Sequence, residues 1–209
     1  MKISCISDTH GVCHKQLKIK DVDLIIHAGD VSNRGLKTEV TEFLEWFSDQ
    51  DGDKIFIAGN HDFFFQYKKE EIDELISRYP SVTYLIDEST EFEGLKIYGS
   101  PWQPWFYDWA FNLRRGSEIA EKWAKIPNEL DILVTHGPAY GILDETVRGE
   151  KVGCEELLKK INEVKPKYHI SGHLHESYGQ FKGENTIFLN ASVLDEKYRF
   201  KNQPIFLEI

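Results

Sequence analysis

The stretch His27-Ala28-Gly29-Asp30-Val31-Ser32-Asn33-Arg34-Gly35 takes an apolar run, Leu24 to Ala28, into a glycine and then a carboxylate. A carboxylate at the end of a strand has two oxygens and can serve two metal ions, which in two-metal sites stand about 3.5 to 4 Å apart. Asp30 is therefore the residue expected to bridge, and a bridge needs terminal ligands around it. The chain offers them at the ends of four other apolar runs: Asp8 and His10, Asn60 with His61, His136, and the pair His173 and His175.

Outward from this stretch, short β-branched runs alternate with segments of helical periodicity. Strands are expected at Lys2 to Ser7, Asp23 to Ala28, Lys54 to Ala58, Thr83 to Asp87, Leu95 to Gly99, Asp131 to Thr135, Tyr168 to Ser171, Thr186 to Asn190 and Pro204 to Glu208. Between them, one-sided helical stripes are formed by Leu36, Val40, Phe43, Leu44 and Phe47, by Ile72, Leu75, Ile76 and Tyr79, by Ile119 and Trp123, and by Leu157, Leu158, Ile161 and Val164. Interleaved strands and helices imply an α/β layered domain with largely parallel sheets. In such sheets ligands gather outside the carboxyl ends of strands, which is where the candidate ligands fall. Gly11, Gly29, Gly59, Gly137 and Gly172 accompany them and allow sharp turns close to an ion.

A length of 209 residues with 41% hydrophobic content fits one domain spanning residues 1–209, with a sizeable core and no linker, repeat or low-complexity segment. The balance of 35 acidic against 25 basic side chains, a formal charge of −10, repels long nucleic acids. Small phosphate compounds stay compatible with it, because bound divalent ions would supply positive charge locally. Met1-Lys2-Ile3-Ser4-Cys5-Ile6 has no apolar leader core, and no run approaches the roughly 18 apolar residues of a membrane span. A cytoplasmic protein with no membrane partner is expected. Cys5, Cys13 and Cys154 are odd in number and widely spaced, implying neither a disulfide framework nor a zinc ribbon. Cys5 and Cys154 read as core, the latter on a helix's apolar face, and Cys13 as structural rather than a ligand.

Each candidate has an ordinary reading when taken alone. An Asp after glycine is often a helix cap or turn residue, and a histidine at a strand end is commonly a surface or core side chain. It is the joint pattern, oxygen and nitrogen donors at five strand ends, that points to a metal site.

Asp8-Thr9-His10, Gly29-Asp30, Gly59-Asn60-His61-Asp62, Thr135-His136-Gly137 and Gly172-His173-Leu174-His175 resemble, in order and spacing, the five signature blocks of the calcineurin-like metallophosphoesterase superfamily. Gly99-Ser100-Pro101-Trp102-Gln103-Pro104-Trp105-Phe106, Phe111-Asn112-Leu113, Val152-Gly153-Cys154 and Asn190-Ala191-Ser192 make the chain similar to the metallophosphoesterase-domain-containing group. Some animal members of that group carry Gly where this chain has His173. The resemblance implies a four-layer αββα sandwich of two mixed sheets flanked by helices. It implies two divalent ions, one held by Asp8, His10, Asp30 and His175, the other by Asp30, Asn60, His136 and His173. Imidazole, carboxylate and amide oxygen suit Mn²⁺ foremost, with Fe or Zn²⁺ as alternatives, and the lack of thiolates argues against a purely structural zinc.

The chemistry follows from charge. Two cations sharing a water lower its pKa from 15.7 towards about 7, so that hydroxide forms at neutral pH and attacks phosphorus in line. His61 is placed to assist the leaving group, by resemblance as an acid or transition-state stabiliser, or else to orient Asn60. The superfamily's protein serine/threonine phosphatases carry Asp where this chain has Asn33 and Glu where it has Asp62, departures that weaken a protein-phosphatase reading. Arg34 is a candidate phosphate clamp or an exposed turn residue. Trp102 to Phe111 holds Trp102, Trp105, Phe106, Tyr107, Trp109 and Phe111, which read as core packing, as a homo-oligomer contact, or, with Trp102 foremost, as a platform for a nucleobase or aryl leaving group. His27 and His169 read as buried partners, and His14 as exposed. The leading function is a metal-dependent phosphodiesterase acting on small phosphoesters such as 2′,3′- or 3′,5′-cyclic nucleotides. A broad phosphomonoesterase and a non-catalytic interaction scaffold are the alternatives.

Overall fold

The β-branched runs Lys2–Ile6 (β1), Leu24–His27 (β2), Asp53–Phe56 (β3) and Val82–Tyr84 (β4) pair in parallel in the order β1-β2-β3-β4, and the last strand, β13 (Ile205–Glu208), closes this sheet antiparallel to β1. A second sheet runs β11-β12-β10-β9-β6-β5, from Gly179–Lys182 (β11), Ile187–Asn190 (β12), Tyr168–Ser171 (β10), Ile132–Thr135 (β9), Leu95–Ser100 (β6) and Glu88–Phe92 (β5). Its four inner strands are parallel and both edges antiparallel. These elements come from a computed structural model that describes residues 1–12 and 16–209, so the expectations for Cys13 and His14 lie outside the described residues.

Strand alternation explains why there are two sheets rather than one. In β1, Ile3 and Cys5 face one side and Ile6 the other, and Leu24 and Ile26 oppose Ile25 in β2 in the same way. Ile3, Cys5, Leu24, Ile26 and Ile55 of the first sheet pack against Ile97, Ile132, Val134, Ile170 and Leu189 of the second, forming a dry layer between them. The opposite faces are covered by helices. Val40, Phe43, Leu44 and Phe47 of α1 (Lys37–Ser48) and Ile72 and Leu75 of α3 (Lys69–Ile76) lie over Ile25 and Phe56. Ile119 and Trp123 of α4 (Ser117–Trp123), with Leu157 and Ile161 of α5 (Glu155–Val164), lie over Tyr98 and Leu133. The result is the four-layer αββα sandwich of mixed sheets.

Departures from expectation fall on short or polar segments. The hairpin strand β5 is Glu-Ser-Thr-Glu-Phe, an edge with mostly exposed side chains and no apolar face to announce it. The edge strand β11 is exposed likewise. The short helix α2 (Phe63–Tyr67) and the two-residue strands β7 (Gln103–Pro104) and β8 (Asn112–Leu113) are too brief to show a period. Cys154 is buried but precedes α5 rather than sitting on it: its Sγ accepts from the Leu157 backbone N–H at 3.4 Å and from Trp123 Nε1–H at 3.3 Å. No helix among the described residues is long and apolar enough to cross a membrane.

Phe43 is fully buried, stacked on Phe47 at 4.9 Å and in contact with Phe56 and His27 at 5.3 Å each. Phe43→Ala should therefore remove about 3 to 5 kcal/mol of stability, read as a lower urea midpoint with an unchanged slope.

Candidate metal centre

The carboxyl ends of β1, β2 and β3 in one sheet meet those of β9 and β10 in the other. The residues after those ends are Asp8 and His10, Asp30, Asn60 and His61, His136, and His173 and His175. All seven residues expected as metal ligands converge on one small volume. Asp8, His10 and His175 offer ligand atoms within 4.8 Å of one another, as do Asp8, Asp30 and His136.

Four histidines are oriented in one way. His10 Nδ1 lies 3.1 Å from the Ser32 carbonyl, His61 Nδ1 2.7 Å from that of Asn33, His136 Nδ1 2.9 Å from that of Ala28, and His175 Nδ1 2.9 Å from that of Asp195. A carbonyl only accepts, so each Nδ1 carries the hydrogen and donates, leaving Nε2 as the nitrogen turned inward. His173 is the exception: its Nδ1 faces the centre, 2.7 Å from Asn60 Oδ1, and its backbone N–H donates to both oxygens of Asp8.

The inward atoms stand at metal-ligand spacing. His10 Nε2 is 3.4 Å from His175 Nε2 and 3.6 Å from Asp30 Oδ2, and His175 Nε2 is 3.5 Å from Asp8 Oδ1. On the other side His136 Nε2 is 2.9 Å from Asn60 Oδ1 and 3.3 Å from Asp30 Oδ2. Donor atoms about 2.1 Å from one ion, at angles between square and tetrahedral, are about 3.0 to 3.4 Å apart. Nitrogen and oxygen ligand atoms grouped at such distances fit a pair of shared cations. Asp30 divides its two oxygens: Oδ1 accepts the His61 backbone N–H at 2.8 Å, and Oδ2 alone faces both groups of donors.

The backbone is strained to bring this about. Asp8, His10, Asp30 and His173 have φ of 55°, 43°, 56° and 69°, a left-handed region that non-glycine residues enter at a cost of order 1 kcal/mol each. Room is left by two glycines. A Cβ on Gly29 (φ 99°) would meet His136 Nδ1 at 2.6 Å, and one on Gly59 would run into the Asp30 carboxylate. The fully buried Asp62 ties the two loops, accepting from the backbone N–H groups of Val31, Ser32 and Gly59 and from the Ser32 hydroxyl.

Burial and charge oppose each other here. Burial alone would depress both His136 and His175, but the Asp30 carboxylate beside the first and Asp8 beside the second lift each to about 9. His10 and His173 are pushed down, to about 4 and about 3, chiefly by burial. Divalent ions bound among these side chains would take over the positive charge and displace those protons. His27 and His169 serve as buried partners: His27 Nε2 lies 3.0 Å from Thr9 Oγ1, and His169 Nε2 lies 2.7 Å from Thr135 Oγ1.

A cleft of about 420 Å³ opens over Asp30, Asn60, His61, His173 and His175. Its outer wall is aromatic, from Trp105, Phe106 and Trp109, and Trp109 stacks on His61 at 4.2 Å. Trp102 does not line it, correcting the expectation that this ring contacts substrate. Its Nε1–H donates to Asp87 Oδ2 at 3.1 Å and Lys122 Nζ lies 3.9 Å over its face, so the ring is consumed by packing. Arg34 does not line the cleft either; it is exposed at the turn into α1, with its backbone N–H held by Glu39. Among the described residues Arg115 is the arginine that does line the cleft, and the sequence did not single it out. Tyr198 was missed as well, since it sits in no motif and reaches the centre only through the path of the chain after β12.

Two sheets meeting at a histidine- and carboxylate-rich centre with two overlapping donor groups define a dinuclear metallohydrolase of the αββα class. The family profile of calcineurin-like phosphoesterases matches residues 1–177, and the chain belongs to that family. Its members use a dinuclear divalent metal centre, and this chain is a metal-dependent phosphoric ester hydrolase. It is 40% identical to human metallophosphoesterase domain-containing protein 1, over 98% of this chain and 70% of that protein. To the Caenorhabditis elegans UPF0046 protein C25E10.12 it is 38% identical, over 100% of this chain and 81% of that one. Phosphopantetheinyl hydrolase from Mycobacterium tuberculosis shares the fold, with a TM-score of 0.64 at 15% identity, over 94% of this chain and 90% of that one.

Asp30→Ala should abolish the binding of both ions and nearly all hydrolysis while leaving the circular dichroism spectrum intact; wild-type turnover with Mn²⁺ would contradict the bridging role. His173→Gly should weaken one ion by about tenfold or more, a loss at least that of an orienting partner, seen as a metal–activity curve displaced to higher Mn²⁺.

Proposed function

We propose that the protein is a dinuclear metal-dependent phosphodiesterase acting on small phosphodiesters, with 2′,3′- or 3′,5′-cyclic nucleotides the leading class and Mn²⁺ the leading metal. Asp8, His10, Asp30 and His175 would hold one ion, and Asp30, Asn60, His136 and His173 the other. When bound, the ions supply positive charge against the phosphate oxygens and acidify water at neutral pH.

The observation that carries the substrate class is the lining of the cleft. Above the donor atoms it offers Trp105, Phe106 and Trp109, together with Arg115, whose guanidinium donates to the Val152 and Gly153 carbonyls, and the carboxylates of Glu150 and Glu176. Such a lining favours a flat organic group carrying a single phosphate and disfavours long polyanions. The His61 environment departs from that of a protein phosphatase: the Asn33 carbonyl, not a carboxylate, faces its Nδ1. Broad phosphomonoesterase activity is the second reading. A hydrolysis screen over cyclic nucleotides, mononucleotides and a nitrophenyl diester with Mn²⁺ separates the two, and turnover of mononucleotides alone would overturn the diesterase reading.

His61 is not among the proposed ligands, and its ring is held by the Asn33 carbonyl and the Trp109 face. Its role is to hold a proton at the leaving-group oxygen. His61→Ala should cost about 10² to 10⁴-fold on a cyclic nucleotide, whose ribose alkoxide is a poor leaving group, and far less on a nitrophenyl diester. Metal content is measured in the same samples, and equal losses on both substrates at full occupancy would remove the acid role.

A further inference from the structure

Tyr198 stands over the centre from a loop that no motif marks. Its ring lies 4.8 Å from that of His10 and 5.0 Å from that of His175, and its hydroxyl is 3.5 Å from His61 Nε2. The side chain is 43% exposed and forms part of the cleft wall, so it is reachable by substrate rather than sealed in the core.

The loop is built to hold it there. Tyr198 takes φ 57°, an unfavourable conformation for an aromatic residue, and its backbone N–H donates to the Asp195 carbonyl at 2.9 Å. That same carbonyl accepts from His175 Nδ1–H. The Asp195 carboxylate accepts in turn from the backbone N–H groups of Lys197 and Arg199 and from Arg199 Nε and Nη2. One aspartate therefore sets both a candidate metal ligand and Tyr198, and the left-handed turn is maintained against its strain.

We propose that the Tyr198 hydroxyl donates a hydrogen bond to the leaving-group oxygen beside His61, which makes Tyr198 a further catalytic residue of the hydrolysis. Because His61 Nε2 and this hydroxyl are 3.5 Å apart, a single oxygen can stand within hydrogen-bond reach of both. Separations of this length in a free enzyme commonly tighten when substrate arrives. His10 and His175 back the ring on one side. The inference rests on the reading that His61 faces the leaving group, and the test treats the two residues separately.

The test uses aryl phosphate esters, as diesters and as monoesters, graded from 4-nitrophenyl to unsubstituted phenyl, on wild type, Tyr198→Phe and His61→Ala with metal content measured. Tyr198→Phe keeps the ring and its packing. It should lose about tenfold in kcat on the phenyl ester and less than about twofold on the nitrophenyl ester, the signature of one lost hydrogen bond to a developing charge. KM and metal content should hold. A uniform loss across the series, no loss, or a rise in KM alone would overturn the role of Tyr198. A flat response of His61→Ala, by contrast, would overturn the His61 reading while the Tyr198→Phe slope still decides for or against the tyrosine.

Discussion

Everything around the centre serves one demand: acceptor atoms from two sheets must stand about 3 Å apart, facing one another. Asp30 Oδ2 lies between His10 Nε2 on one side and His136 Nε2 on the other, with Asp8, His175 and Asn60 completing the ring. Ligand atoms brought so close repel unless positive charge, as protons or as cations, is shared among them, and the cost of assembling them is carried by the rest of the fold. The dry intersheet layer holds the two sheets' carboxyl ends on the same side. The carbonyls of Ser32, Ala28 and Asp195 hold the rings by Nδ1 so that Nε2 has nowhere else to turn.

That arrangement also resolves the charge of the molecule. A chain of formal charge −10 is a poor receptor for phosphate, and the cleft sets Arg115 near the acidic Glu150 and Glu176 in its wall. Two buried carboxylates would add to the repulsion, yet they are what draws positive charge inward. They lift His136 and His175 to about 9 against the pull of burial, and divalent ions satisfy the same field more fully. Positive charge is thereby drawn to one spot, and the aromatic wall of Trp105, Phe106 and Trp109 stands beside it.

The rings of the Trp102 to Phe111 segment show how one composition divides into two roles. Trp102 is taken by Asp87 and Lys122, Phe111 is buried, and Trp105, Phe106 and Trp109 line the cleft. Nothing in the order of residues distinguishes them, because Trp102 meets Lys122 of α4, Phe111 enters the core with Val31 and Phe64, and the other three border the loops after β9 and β10.

The sequence by itself determined the alternation of strand and helix, the donors at five strand ends and the family to which they belong. Those features are local: a β-branched run specifies a strand, and Asp, Asn or His beyond its end needs only a turn to reach the strand's carboxyl edge. Legibility failed where the signal was short or distributed. The edge strands β5 and β11 bury too little to impose a period, and α2 spans hardly more than one turn. Only the tertiary structure decided that a single oxygen of Asp30 faces both donor groups, that His173 turns Nδ1 rather than Nε2 inward, and that Arg115 rather than Arg34 borders the cleft. It alone brought Tyr198 to His61, 137 residues away in the chain. Those facts depend on the distance between two sheets and on loops that meet across them, and no pattern along one strand or helix carries that information.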